Sequence, residues 1–181
     1  MSKNPVLIVI DVQKGFLDEK WGNSNNPGCE DNIKKLLKIW RNAKYPVVLV
    51  RHDSVSPQSP LHPGQYGNDF QDGIDGIHDL LISKTVNSAF YGTPSLKDWL
   101  DLNSYSDLYV CGITTNHCCE TTARMAGNLG YNVKFVLDAT RTFDFKDLAG
   151  NLVSAESVYQ MTATNLSGEF AEVVLTSDIT I

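Results

Sequence analysis

Three residue types able to carry covalent hydrolysis stand far apart along this chain: a carboxylate at Asp11, an amine at Lys84 and a thiol at Cys118. Together they supply a base, an electrostatic stabiliser and a soft nucleophile. Cys118 falls near the start of a helical stretch, just past the turn Gly112-Ile113-Thr114-Thr115. Backbone N–H groups and the positive end of a helix lower a thiol's pKa, and the thiolate is the attacking form. The same N–H groups can receive an oxyanion. Each residue also has a plainer use. An aspartate after a strand is ordinarily a turn former, a lysine there ordinarily meets water, and a free cysteine ordinarily packs in a core. The set, rather than any member, points to chemistry. No histidine has an evident triad role: His62 and His78 have no partner in view, and a helical His117 would diverge from the thiol beside it.

These residues would have to converge, and the pattern of elements says how. Val6–Ile10 (VLIVI) is a continuous β-branched run bounded by Pro5 and Asp11, as expected of a strand buried on both faces. Ile33, Leu36, Leu37 and Trp40 form the stripe of an amphipathic helix. Further strands are expected at Val47–Val50, Leu80–Ile82, Leu108–Cys111, Val133–Leu137 and Val173–Thr176. Helices are expected from Thr93-Pro94 (as N-cap and first turn) to Leu102, from Thr115 to Leu129 with Gly130 beyond its end, and over Ser154–Leu166 with Ser154 as cap. Six strands alternating with helices imply an α/β fold, a three-layer α/β/α sandwich of Rossmann-like type around a six-stranded parallel sheet. Ligands of such sheets lie beyond the carboxyl ends of the strands. Asp11, Lys84 and the stretch from Gly112 to Cys118 all follow strands there.

The 181 residues suit one domain spanning 1–181, large enough to bury about 70% of its unfolded surface. A net charge of -6 and scattered lysines and arginines argue against a nucleic-acid partner. Only five apolar residues separate Pro5 from Asp11, too few for a signal peptide, and nowhere is there a run long enough for a membrane helix. A cytoplasmic protein with reduced thiols follows as the expectation. The four cysteines (Cys29, Cys111, Cys118 and Cys119) show no zinc spacing and no C-x-x-C. Cys118 and Cys119, if helical, diverge by about 100°, so at most one of them serves the site.

The segments Asp11-Val-Gln13-x-x-Phe16, Lys84-x-x-x-Ser88-Ala-Phe90 and Gly112-x-x-Thr115-x-x-Cys118 resemble the motifs of the isochorismatase-like cysteine hydrolases. Thr121-Thr-Ala-x-x-Ala126-x-x-x-Gly130 and Asp138-Ala-Thr140 continue the match in order and spacing, so the likeness spans the chain. The resemblance implies Asp11, Lys84 and Cys118 as a catalytic triad, with Cys118 rather than Cys119 as nucleophile. It implies oxyanion donors on the backbone at Thr114 and Cys118, a cis peptide at Ile113–Thr114, a homo-oligomer (dimer or tetramer), a small-molecule substrate and no cofactor. The nicotinamidase branch holds a metal through an Asp and a His two apart after the second strand. Here His52 and Ser54 stand at those places, so no metal is expected.

Around the triad, Gln13, Phe16, His52, Asp53, Phe90, His117 and Phe143 are the candidate substrate contacts, with packing or turn formation as the alternative for each. The loop from Val55 to Gly76, with three prolines and four glycines, suits a lid or a subunit contact. The expected activity is hydrolysis of a C–N bond in a small amide, lactam or carbamoyl compound through a thioester. Alternatives are vinyl ether hydrolysis, thiol redox chemistry on Cys118-Cys119, and a binding domain that keeps the scaffold.

Overall fold

A computed structural model describes residues 4–180. Its strands are β1 (Val6–Ile10), β2 (Val47–His52), β3 (Leu80–Lys84), β4 (Asp107–Ile113), β5 (Asn132–Arg141), β6 (Phe145–Lys146), β7 (Leu152–Val153) and β8 (Glu172–Val174). Its helices are α1 (Cys29–Ala43), α2 (Leu96–Leu102), α3 (Glu120–Asn128) and α4 (Ala155–Leu166). Six strands form one sheet in the order β3-β2-β1-β4-β5-β8, every neighbouring pair parallel. The short antiparallel hairpin β6–β7 stands apart from it.

The apolar run of β1 explains the layering. All five residues are fully buried, and successive side chains point to opposite faces. Val6, Ile8 and Ile10 pack with Leu96 and Leu100 of α2, Ala123 and Ala126 of α3, and Tyr159 and Leu166 of α4. Leu7 and Val9 pack on the other face with Ile33, Leu36, Leu37 and Trp40 of α1. Each buried aliphatic side chain contributes roughly 1.5–3 kcal/mol, which makes this central strand the anchor of both cores. The expected three-layer α/β/α arrangement is therefore present. Among the described residues no helix is long and apolar enough to cross a membrane.

Several boundaries differ from the sequence expectation. The helix expected from Thr93 starts at Leu96, because the Thr93 backbone pairs with Ser83 at 2.8 and 2.9 Å while Ser95 Oγ caps by accepting from Asp98 N. The segment from Thr115 to Leu129 is divided. Residues Thr115–Cys119 wind as one wide π turn, with Cys119 N donating to Thr114 O at 3.2 Å, and α3 begins only at Glu120. Strand β5 runs on to Arg141, past a register shift between Val110 and Gly112. The last strand stops at Val174, because the Thr176 N–H and hydroxyl both donate to Asp138 Oδ1. Hairpin β6–β7 carries too few residues to show a period.

Chain order reverses at the sheet's middle. From β1 the chain builds outward through β2 and β3, then crosses back to place β4 on the other side of β1. The crevice between the ends of β1 and β4 is the switch point where such sheets bind ligands. Gly112 permits the close approach there: its φ is +129°, and a Cβ on it would lie 2.0 Å from Ile10 O.

Candidate active site

Parallel register delivers three side chains to one mouth. Asp11 directly follows β1, in a left-handed backbone conformation (φ +52°) that aspartate tolerates, and its N–H donates to Val50 O at 2.9 Å. His52 and Lys84 end β2 and β3 and are partners in the β2–β3 register. Cys118 arrives from the other side of the crevice, on the wide turn after β4. That turn is tied to β5, with Thr115 Oγ1 donating to Thr140 Oγ1 at 2.9 Å and Thr142 Oγ1 to Asn116 Oδ1 at 2.5 Å. The Ile113–Thr114 peptide is cis, as the resemblance implied.

The Lys84 ammonium is the hub. Nζ donates to Asp11 Oδ2 at 2.6 Å and to Cys118 Sγ at 3.4 Å, and both the Lys84 and Asp11 side chains are fully buried. Burial pushes the Asp11 carboxyl up from its ordinary value, against the opposing charge of Lys84. For Lys84 burial acts downward, but the charges of Asp11 and Cys118 outweigh it and hold the ammonium above its ordinary value. The thiol departs from the sequence expectation. Burial first, and then the Asp11 charge, push Cys118 well above its ordinary value, with Lys84 opposing. The positive end of a helix would favour the thiolate, but burial here works against it, and the geometry sets the thiol beside a carboxyl paired with an ammonium. Among the described residues, Asp11 Oδ1 is a buried side-chain oxygen with no hydrogen-bond partner, and an oxygen of this carboxyl lies within 4.8 Å of the Cys118 sulfur.

A cavity of about 160 Å³ opens over these groups, lined by the polar residues Asp11, His52, Asn87, Thr114, His117 and Cys118 and by the apolar Phe16, Trp21 and Leu61. That volume lies below the range usual for drug-sized ligands and suits a small substrate. Among the described residues, the larger depressions elsewhere on the surface hold no comparable convergence of nucleophile, acid and cation. Cys118 faces the cavity, whereas Cys119 is fully buried in the core, so the wide turn separates the adjacent thiols.

The remaining sequence candidates divide. Phe16, His52 and His117 line the cavity, and His117 also meets Phe145 edge-on with ring centroids 5.4 Å apart. The expected divergence of His117 from the thiol assumed a regular helix; in the π turn both reach the cavity wall. Gln13, Asp53, Phe90 and Phe143 do not line it. The Gln13 side chain is buried on the His52 backbone and Asn68 O. Asp53 is held by Arg51 and Asn68, whose hydrogen bonds lower its carboxyl despite partial burial. Phe90 lies in the core against Tyr131, and Phe143 stacks behind Phe16 and Trp21. Sequence reasoning missed Trp21, Leu61 and Asn87. Asn87 was findable, since it sits inside the Lys84-x-x-x-Ser88 motif, and its Oδ1 lies 3.6 Å from Cys118 Sγ. Nothing marks Trp21 or Leu61 within their loops. Leu61 shows what the 55–76 loop does in this chain: it forms a wall of the cavity.

Asp11, His52 and Cys118 bring donor atoms within 4.8 Å of one another, a set that could ligate a transition metal. Lys84 Nζ lies against all three, with His52 Nδ1 also at 3.4 Å. A second cation among them would sit directly against this buried ammonium, so the set does not fit a resident metal.

The family model described as Isochorismatase domain matches residues 5–177. An uncharacterized isochorismatase family protein, YrdC of Bacillus subtilis (strain 168), is 37% identical over 180 residues, covering 99% of this chain and 96% of its own. Nicotinamidase 3 of Arabidopsis thaliana is 31% identical over 188 residues, covering 96% of this chain and 85% of its own. A solved isochorismatase-family structure from Chromobacterium violaceum ATCC 12472 superposes with a TM-score of 0.93 at 39% identity, over 98% of this chain and 92% of that one.

Proposed function

Because the chain belongs to the isochorismatase family and is a hydrolase, we propose that it cleaves the C–N bond of a small amide, lactam or carbamoyl compound through a Cys118 thioester. The observation that carries this reading is the buried contact of Lys84 Nζ with both Asp11 Oδ2 and Cys118 Sγ at the floor of the cavity. In this reading Asp11 Oδ1 takes the thiol proton as Sγ bonds to the carbonyl carbon, and Lys84 stabilises the anionic sulfur. The oxyanion rests on the backbone N–H groups of Thr114 and Cys118. Asp11 then passes its proton to the departing nitrogen as the C–N bond breaks. Water attacks the thioester with Asp11 again as base, and the acid leaves as the thiol is restored. Phe16, Trp21 and Leu61 provide an apolar wall for a small acyl group. The relative named as a nicotinamidase supports an amide as substrate.

Incubating the protein with a panel of small amides, lactams, carbamoyl compounds and nicotinamide, with ammonia or amine release as readout, tests the reading. A hydrolysed substrate should leave a transient acyl mass on the peptide containing Cys118. Turnover that persists undiminished after Cys118 is alkylated would overturn it.

A pH dependence follows from the same groups. Asp11 must be ionised to act as base and His52 neutral to avoid a second cation beside Lys84. Asp11 is raised by burial and His52 is lowered by burial and by Lys84. Asp11 therefore takes up its proton at a pH above its ordinary carboxylate value of about 4, and His52 at a pH below its ordinary imidazole value of about 6.5. We expect kcat/KM to fall on the acid side, with the loss already under way above about pH 4. A profile flat down to pH 4 would contradict the assignment of Asp11.

A further inference from the structure

The buried Lys84 ammonium has three protons to place, and two reach Asp11 Oδ2 and Cys118 Sγ. The third contact is His52 Nδ1 at 3.4 Å. An ammonium only donates, so Nδ1 must be the unprotonated nitrogen of a neutral ring that carries its proton on Nε2. Parallel pairing of β2 with β3 sets His52 opposite Lys84 and so brings the ring to the amine. The His52 backbone is clamped in turn. Its N–H donates to Gln13 Oε1 at 2.8 Å, and its carbonyl accepts from Gln13 Nε2 at 3.0 Å and from Asn68 Nδ2 at 3.1 Å. A fully buried amide that binds the peptide units on both sides of the His52 Cα fixes the backbone there, and with it the direction in which the ring leaves the strand.

We propose that His52 is a positioning residue whose Nδ1 holds the Lys84 ammonium between Asp11 and Cys118, and that Gln13 holds His52. The donor set that could have taken a metal is thus completed by the chain's own cation. This also gives Gln13 a role that differs from the substrate contact first expected of it. Two residues after Asp11, it crosses to the end of β2 and places the third acceptor. The inference bears on the thiol whatever substrate the cavity takes, and it rests on the proposed role of Cys118 only in its consequences for turnover.

The groups facing His52 are Asp11 from β1, Lys84 from β3, Asp53 on its own segment, Cys118 from the wide turn, and His117 on the cavity wall. Protonating the ring removes the lone pair from Nδ1 and sets a like charge on Lys84. The hold is therefore present at neutral pH and lost on acidification.

Alkylation by iodoacetamide, followed by peptide mass spectrometry, reads the site without a substrate. Cys118 is 6% exposed at the cavity, whereas Cys29, Cys111 and Cys119 are fully buried. His52→Leu should slow Cys118 alkylation at pH 8 about tenfold and move its pH midpoint upward, since the ammonium no longer stays at the sulfur. His52→Asn offers a side-chain oxygen near the place of Nδ1 and should recover most of the rate. A wild-type curve in His52→Leu would overturn the proposal. So would a folded His52→Asn protein that reacts as slowly as His52→Leu. Should His52→Leu not fold, long-range ¹H–¹⁵N correlation on the unmutated protein decides: a proton on Nε2 is expected, and a proton on Nδ1 at neutral pH would overturn the assignment.

Discussion

Replacing Cys118 with alanine is expected to lower kcat/KM by about 10⁴-fold or more, as loss of a covalent nucleophile does, while Cys119→Ala leaves it within about threefold of the parent. The two thiols are adjacent in sequence and share a buried setting, yet only one borders the cavity. Cys118 Sγ meets Lys84 Nζ at 3.4 Å and Asn87 Oδ1 at 3.6 Å. Cys119 has no exposed surface, and burial pushes its thiol well above its ordinary value with no cation to oppose it. Its loss is a packing change of about 1 kcal/mol, visible in a denaturation curve rather than in turnover. Steady-state kinetics on both variants, with circular dichroism to confirm folding, checks this. Equal loss of activity in two folded variants would remove Cys118 as nucleophile.

Lys84→Met should show the second large effect, in activity and in stability together. Without the ammonium, Asp11 is a carboxyl in a fully buried site that has lost the main group offsetting its desolvation, with Cys118 and His52 as the lesser ones left. Its pKa then rises further, and at neutral pH it holds a proton it needs to be free of to act as base. A loss of roughly 10³-fold in kcat is expected, within the range of general base catalysis. The stability change has a definite sign. A folded-state carboxyl pKa above the unfolded value means that the native state binds more protons, so stability falls as pH rises from the unfolded value of about 4 toward the folded one. The deficit of the variant relative to the parent should therefore be small near pH 4 and grow to about 3–5 kcal/mol where the unpaired charge must form. Urea unfolding at several pH values measures it. Asp11→Asn combined with Lys84→Met should regain most of that stability and none of the activity. A pH-independent deficit would mean that the two side chains are not the buried pair described.

How much of this was legible beforehand depends on the range of the interactions. The apolar run Val6–Ile10 and the stripe Ile33, Leu36, Leu37 and Trp40 are local patterns, and both elements formed where they indicated. Ser154 caps α4 because a cap is a contact within one turn, with Ser157 N donating to its hydroxyl at 3.2 Å. The start of α2 moved because Thr93 bonds across to Ser83, a pairing that no local pattern encodes. Gln13 and Phe90 were placed at the site by their nearness to motif residues. Their side chains in fact turn to the β2 end and to the core, which sequence spacing does not resolve.

For the candidate site, the residue types and their order after successive strands identified Asp11, Lys84 and Cys118, because strand ends in a parallel sheet share one edge. Sequence geometry left room for only one of the adjacent thiols, and it was the resemblance that favoured Cys118 over Cys119. Tertiary structure alone decided the protonation pattern. A helix start seen in isolation favours a thiolate, but burial and the neighbouring Asp11 push the same thiol upward, since desolvation acts on every charge at the site and depends on what the whole fold removes from water. Tertiary structure alone likewise brought His52 to the third proton of Lys84 and Gln13 to the His52 backbone, contacts 32 and 39 residues apart along the chain that only strand register can make.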